Sequence, residues 1–189
     1  MTNNTTVRLE PNQSQKAILD RMFSVNTYLY NGLITASVNF YRKNGRTITI
    51  DEMNELCGTI HSRCPIFIGQ SAEVMRQTAQ QVIDATARCI ENTPNRDERW
   101  PDGTYRCHRP RFKKQSRGCT ITYGHLQQFS MHYSDEGDCD GLMLHNVPDY
   151  VRFGESYDFE DGIPRKCVLK RKFVFGGFEY LATMIYGEL

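Results

Sequence analysis

The chain has no run of apolar residues near the roughly 18 to 20 that cross a bilayer, and its polar opening, Met1-Thr2-Asn3-Asn4-Thr5, lacks the charged and apolar regions of a secretory leader. These absences argue against a membrane protein and predict a cytoplasmic one. The sequence has no Cys-x-x-Cys knuckle of the kind that builds structural zinc sites. Its seven cysteines, Cys57, Cys64, Cys89, Cys107, Cys119, Cys139 and Cys167, are an odd set without regular spacing and read as reduced thiols rather than a disulfide framework. No Gly-x-Ser-x-Gly, Walker loop or His-Glu-x-x-His is present, and no internal repeat. Net charge is only +1, so non-specific attraction to phosphate cannot come from the molecule as a whole.

What is present suits one domain or two small ones: 189 residues, 39% hydrophobic and 11% aromatic, enough for a buried core. Residues 6–10 alternate polar and apolar up to Pro11 and predict a short strand. Ala17, Ile18, Leu19, Met22, Phe23, Val25, Leu29, Leu33 and Ile34 recur at three- and four-residue steps, predicting an amphipathic helix to about Arg42. Thr49 or Asp51 caps a second helix over Met53, Leu56, Cys57 and Ile60, closed by Pro65. Residues 71–92 give a third, with Val74, Met75, Val82, Ile83 and Ile90 inward. Residues 93–118 read as an exposed loop. From Cys119 onward come short β-branched and aromatic runs at 119–123, 128–133, 142–146, 150–153, 166–175 and 178–186, with Gly176-Gly177 marking a hairpin between the last two. Strand, helices, then strands is the pattern of an α+β chain whose first strand joins the later ones.

Charge is distributed in blocks. Arg99, Arg106, Arg109, Arg111, Lys113, Lys114 and Arg117 face the single acid Asp102, and a second basic cluster, Arg165, Lys166, Lys170, Arg171 and Lys172, comes later. Between them Asp135, Glu136, Asp138, Asp140, Asp149, Glu155, Asp158, Glu160 and Asp161 face only Arg152. The strongest local chemistry is His108 to Arg117: arginine bridges two phosphate oxygens, lysine acts as a point charge, and Phe112 among them can stack on a base or a guanidinium. The bland alternative is a solvated basic loop that sends Phe112 into the core. Gln77, Gln80 and Gln81 on the third helix carry amides able to pair with adenine; otherwise they are the polar face of an amphipathic helix. Cys57-x-x-x-His61-x-x-Cys64 offers three possible metal ligands, but Cys57 and Cys89 read as small core residues, so no metal and no cofactor is expected. The acidic stretch 135–141 lacks the EF-hand spacing and reads as an exposed turn.

Short matches in order, Val7-Arg8-Leu9-Glu10-Pro11, Gln15, Leu19, Phe23, Tyr30-Asn31, Gln77, Pro110-Arg111-Phe112-Lys113-Lys114 and Thr122-Tyr123, resemble the N-terminal half of TnpB, the RNA-guided nuclease of IS200/IS605-type transposons related to Cas12 effectors. The resemblance implies a small wedge-like β-barrel (6–11 and 119–187), an inserted three-helix recognition bundle (12–92) and a basic loop (93–118). It implies a non-catalytic protein without the RuvC nuclease half, binding guide-like RNA and/or double-stranded DNA, with a separate nuclease subunit or effector protein as a further partner. The contact residues it implies, together with the basic loop, are Arg106, Arg109, Arg111, Phe112, Lys113, Lys114, Arg117, Gln77, Asn31, Thr122 and Tyr123. Glu73, where relatives can carry a basic residue, and Thr49-Ile50-Asp51, where some have an aromatic, are departures that put motif reading in doubt. The competing class is an interaction or inhibitor protein that keeps the scaffold while its acidic stretch contacts a partner's basic groove.

Overall fold

A computed structural model describes residues 4–67, 69–114, 119–124, 127–157 and 162–187. They form an α+β fold of three helices and one antiparallel seven-stranded sheet. The opening alternation becomes strand β1 (Asn4–Glu10), which buries Val7 and Leu9 and exposes Arg8 between them. Helix α1 (Gln13–Asn44) starts at a reciprocal cap: Gln15 N–H donates to Asn12 Oδ1 at 2.9 Å and Asn12 N–H donates to Gln15 Oε1 at 3.0 Å. The buried Gln15 also donates Nε2 to the carbonyls of Pro148 and Tyr150, at 3.0 and 3.1 Å. The helix runs two residues past the expected Arg42 and ends where Gly45, at φ +70°, returns its N–H to Tyr41 O.

Helix α2 (Ile50–Arg63) is capped by Thr49 in a full capping box with Glu52, whose carboxylate also takes both Arg46 guanidinium nitrogens, at 2.6 and 2.9 Å. These bonds, the Arg46 guanidinium first, hold the Glu52 carboxyl down at about 2. A depressed carboxylate stabilises the fold above its unfolded value of about 4.3, and that contribution vanishes as pH falls towards 2. The expected result is a melting-temperature gap between wild type and Glu52→Gln at pH 6 that closes on acidification from about 4.3 to 2; a gap independent of pH contradicts the assignment. Helix α3 (Ala72–Glu91) buries Val74, Met75, Val82 and Ile90 as expected, with Ile83 half-buried against the core that holds Met75 and Val82.

The remaining strands are β2 (Cys119–Tyr123), β3 (Phe129–Tyr133), β4 (Cys139–Leu144), β5 (Tyr150–Tyr157), β6 (Lys166–Val174) and β7 (Gly177–Ile185), in the order β2-β6-β7-β1-β5-β4-β3. The first strand does join the later ones: β1 pairs with β7 from Asn4↔Ile185 to Leu9↔Tyr180 and with β5 at Leu9↔Phe153. β4 begins three residues earlier than expected because the acidic turn is tight, closed by Ser134 N–H to Asp138 O and Gly137 N–H to Ser134 O. β5 runs on to Tyr157, held by its pairing Cys139↔Tyr157 across a bulge.

The edge strands β2 and β3 are consecutive in the chain. From Tyr123 to Phe129 six steps reach at most about 22 Å, whereas seven flat strands would be about 29 Å across. The sheet must therefore curl, and the two rings lie 6.5 Å apart. The curled sheet encloses one core around Val7, Leu19, Phe23, Ile121, Leu142, Val151, Leu169 and Met184.

The chain divides into two compact units: Met1–Ser24, Gly69–Val74 and Lys114–Leu189, which hold the sheet, and Val25–Ile68 and Met75–Lys113, which hold most of the helices. The second unit has its own core of Leu29, Leu33, Ile34, Val38, Met53, Met75, Ala79 and Val82, with a buried Thr78 Oγ1 to Asn26 Oδ1 bond at 2.9 Å. Cys57 is a core residue there, its thiol pushed up to about 11 by burial, and Cys57, Cys64, Cys89, Cys107, Cys139 and Cys167 are all free.

Candidate functional site

The basic segment after α3 is pinned to the helical unit at successive points. Thr93 Oγ1 donates to Cys89 O and accepts the His108 N–H, both at 2.8 Å. Between these residues a small hairpin is closed by Trp100 N–H to Thr104 O and by an Arg99↔Tyr105 bridge. Tyr105 N–H donates to Arg42 O, and its ring lies where a side chain at Gly45 would be, with the Cβ position 2.5 Å from Cζ. Only glycine, which also supplies the positive φ, fits there. Cys107 packs against the helical core.

The last pin is Asn31. Its Nδ2 donates to Lys113 O at 3.0 Å and its Oδ1 accepts the Lys113 N–H at 2.9 Å, so a side-chain amide imitates a β-ladder pair. Lys113 Nζ sits 3.9 Å over the Tyr30 ring and 3.4 Å from Gln81 Oε1. Tyr30 is buried, and that burial raises its phenol above the usual range, with Cys89 adding to the rise and Arg88 opposing it.

A strap, His108–Lys113, is thus clamped at both ends. Inside it Pro110 is buried, while His108, Arg109, Arg111 and Phe112 are exposed. Phe112 keeps 42% of its surface in solvent, and the Arg109 guanidinium lies 4.2 Å over its ring. Such a stack fixes the guanidinium plane and leaves its N–H donors outward. Arg109 and Arg111 form no ion pair with an acid among the described residues. The arrangement offers planar cations and one flat ring on a short backbone, the groups that grip phosphate and stack on a base.

The other basic residues divide. Arg99 lies over Tyr105 at 4.3 Å and bonds its hydroxyl, so it serves the hairpin. Arg106, expected as a phosphate contact, pairs with Glu98 at 3.1 Å and lies 4.7 Å over the Trp100 ring, with its side chain partly in solvent. Lys114 is exposed and belongs to the sheet unit. Arg117 lies outside the described residues, as do Asp158, Glu160 and Asp161. In the second cluster Arg165, Lys170 and Lys172 are exposed, but Arg171 is 4% exposed and bonds Asp20 Oδ1 at 2.6 Å.

Gln77 is half-buried on α3; Gln80 bonds Asp84 and Gln81 bonds Lys113. Thr122 and Tyr123, expected as base contacts, are both buried in the sheet unit, Tyr123 completely. Burial pushes the Tyr123 phenol well above its usual range. Among the described residues no three or more His, Cys, Asp or Glu side chains are grouped to hold a metal ion. Asp140 pairs instead with His132 Nδ1 at 2.7 Å, and the His132 ring stacks on Tyr150 at 3.7 Å.

Sequence reading picked out Asn31 but not its task, and missed Thr93 and Gly45 as anchors. Replacing Asn31 with alanine is expected to cost about 1–2 kcal/mol, the loss of two partly buried hydrogen bonds. The Lys113 amide should then exchange with deuterium at least tenfold faster. Asn31→Asp, which retains the acceptor, should lose less. Unchanged exchange at Lys113 contradicts the clamp.

No protein-family model and no curated protein matches the chain. Among solved structures it is similar to a chain of the Cas12f1-sgRNA-target DNA complex, solved by cryo-EM, at 8% identity and a TM-score of 0.47. The likeness covers 100% of this chain and 49% of that one, so this chain spans about half the length of its structural neighbour.

Proposed function

We propose that this protein binds RNA and/or double-stranded DNA through the strap His108–Lys113 and does not cleave what it holds. The observation that carries the reading is the clamped strap itself: Arg109 stacked on a 42%-exposed Phe112, with Arg111 beside them. A solvated loop has no need of a latch at each end, whereas cations held in place lose less freedom when they grip phosphate. Pro110-Arg111-Phe112-Lys113-Lys114 is also the stretch that carries the resemblance to TnpB, so the finer proposal is the guide-RNA and target-adjacent-DNA holding role of such an effector, in the cytoplasm. A separate nuclease subunit or effector protein is the further partner proposed for that role.

Fluorescence anisotropy with labelled single-stranded RNA, a structured RNA and duplex DNA, over 50–300 mM KCl, tests this. The expected result is binding at 50 mM that weakens with salt at a log–log slope at least as steep as about −1.4 on single strands and about −1.8 on duplex, from two or more phosphate contacts, with the probes intact after incubation in Mg²⁺. No binding to any probe at 50 mM KCl sinks the proposal. That outcome would favour an interaction module, whose supporting observation is the exposed acidic turn of Asp135, Glu136 and Asp138 beside Tyr133, itself 57% exposed.

A further inference from the structure

The hairpin between β6 and β7 carries aromatic side chains past the end of its own core. Along the core-facing side Arg171 lies between the rings of Phe23 and Phe178, at 5.3 and 4.3 Å. Phe178 in turn meets Phe173 edge to face, ring centroids 5.5 Å apart, across the pair Phe173↔Phe178. Phe173 is 60% exposed, and Phe175, in the two-residue turn beyond it, is fully exposed.

Turn geometry does not demand this residue. Val174↔Gly177 closes the ladder, and Gly176, at φ +96°, supplies the positive dihedral that the turn needs. Phe175 has no positive φ, so any small polar residue would fill its place. A single exposed phenyl ring would be ordinary, but Phe173 and Phe175 put two of them at one hairpin tip, a grouping that the turn itself does not require.

The surroundings choose the occupant. From residue 162 to 178 there is no Asp or Glu, while Arg165, Lys166, Lys170, Arg171 and Lys172 lie within the same stretch; Glu179, opposite Lys172, is the first acid. Lys170 and Lys172 are exposed. A protein partner would need roughly 800 Å² of contact from each side, and two phenyl rings of about 200 Å² each do not approach that. A narrow apolar tip with cations along its stem matches a polyanion that presents separate flat faces.

We infer that the β6–β7 hairpin tip is a second contact site, where Phe175 stacks on an unpaired base of a single-stranded polynucleotide while Lys170 and Lys172, exposed on the outer face of β6, meet its phosphates as the strand passes the tip. The site lies in the sheet unit and stands on observations separate from those of the strap.

Anisotropy with 12-nucleotide oligo(U) and oligo(dT) tests it, using wild type, Phe175→Ala, Phe175→Trp and the strap variant Arg109→Ala/Arg111→Ala. Phe175→Ala should weaken binding about 5- to 100-fold with an unchanged salt slope, because it removes stacking and no charge. Phe175→Trp should restore or strengthen it. The base face is common to both probes, and the larger loss identifies RNA or DNA as the ligand. Irradiation of the same oligomers carrying 5-iodouracil should crosslink the peptide containing Phe173 and Phe175, and should still do so in the strap variant. If Phe175→Ala binds both oligomers as wild type does, or every crosslink falls within 108–113, the hairpin site is refuted while the strap stands. If instead the strap variant keeps the full salt slope, the strap reading fails and the hairpin result is unaffected.

Discussion

Replacing Arg109 and Arg111 together with alanine is expected to lower affinity for RNA or duplex DNA on the order of 10- to 100-fold at 0.1 M salt, and to flatten the log–log salt slope by about 1.4 to 1.8. Each phosphate contact contributes about 0.7 to 0.9 to that slope, on single strands and duplex respectively, and both cations face solvent from a backbone that the protein holds still. Stability should hardly change, since neither residue has an ion-pair partner among the described residues. The same change at Arg99, which is committed to Tyr105 and Gly103, should leave the slope alone. Equal losses from both variants would mean that binding follows total charge rather than the strap.

The second large effect concerns folding. Arg171 is 4% exposed, donates to Asp20 at 2.6 Å and lies between two aromatic rings. Tyr180 donates its hydroxyl to the same Asp20 oxygen at 2.7 Å, and its phenol is pushed far above the usual range, by burial first and then by its bond to Asp20. Breaking a buried ion pair by removing one partner costs about 3–5 kcal/mol. Asp20 keeps 33% of its side chain in solvent and keeps its tyrosine, so about 2–4 kcal/mol is expected for Arg171→Met. That corresponds to a fall of about 5–15 °C in melting temperature for a chain of this size. A loss below 0.5 kcal/mol in urea denaturation would show that the cation is not part of what holds α1 to β6 and β7.

Arg171 also marks the limit of sequence reading. In the chain it is one of five cations within eight residues and looks like its neighbours. What separates it is strand alternation: it shares a face with Cys167 and Leu169, whereas Lys170 and Lys172 share the other. Only the pairing with β7, which brings Tyr180 opposite it, and the placement of Asp20 on α1 make that face a home for a charge.

The helices were legible because their periodicity and caps are local. Val74, Met75, Val82 and Ile90 could be assigned inward before any packing was known, and Thr49 could be proposed as a cap. The α+β class and the opening strand's place among the later ones were legible for a similar reason, since a lone alternating strand must find a sheet. Strand limits were less so. β5 passes through Gly154 and Glu155, whose low strand propensity hides a continuation that pairing with β4 supplies.

At the site, chemistry was readable and geometry was not. Pro110-Arg111-Phe112 could be singled out by composition, but Arg106 and Arg109 look alike in sequence. Glu98 claims the first, and Phe112 lies under the second. The burial of Thr122 and Tyr123 was not legible, because neighbouring residues of a strand lie on opposite faces and the sequence does not say that both faces are covered. Curling of the sheet brings Tyr123 against Phe129 and buries both.

Arginine footprinting with phenylglyoxal, read by mass spectrometry with and without saturating RNA or duplex DNA, bears most directly on the strap. Arg109 and Arg111 should be strongly protected by nucleic acid, while Arg63, exposed at the end of α2, should react equally in both samples. Equal modification of Arg109 and Arg111 with and without bound nucleic acid would contradict the account.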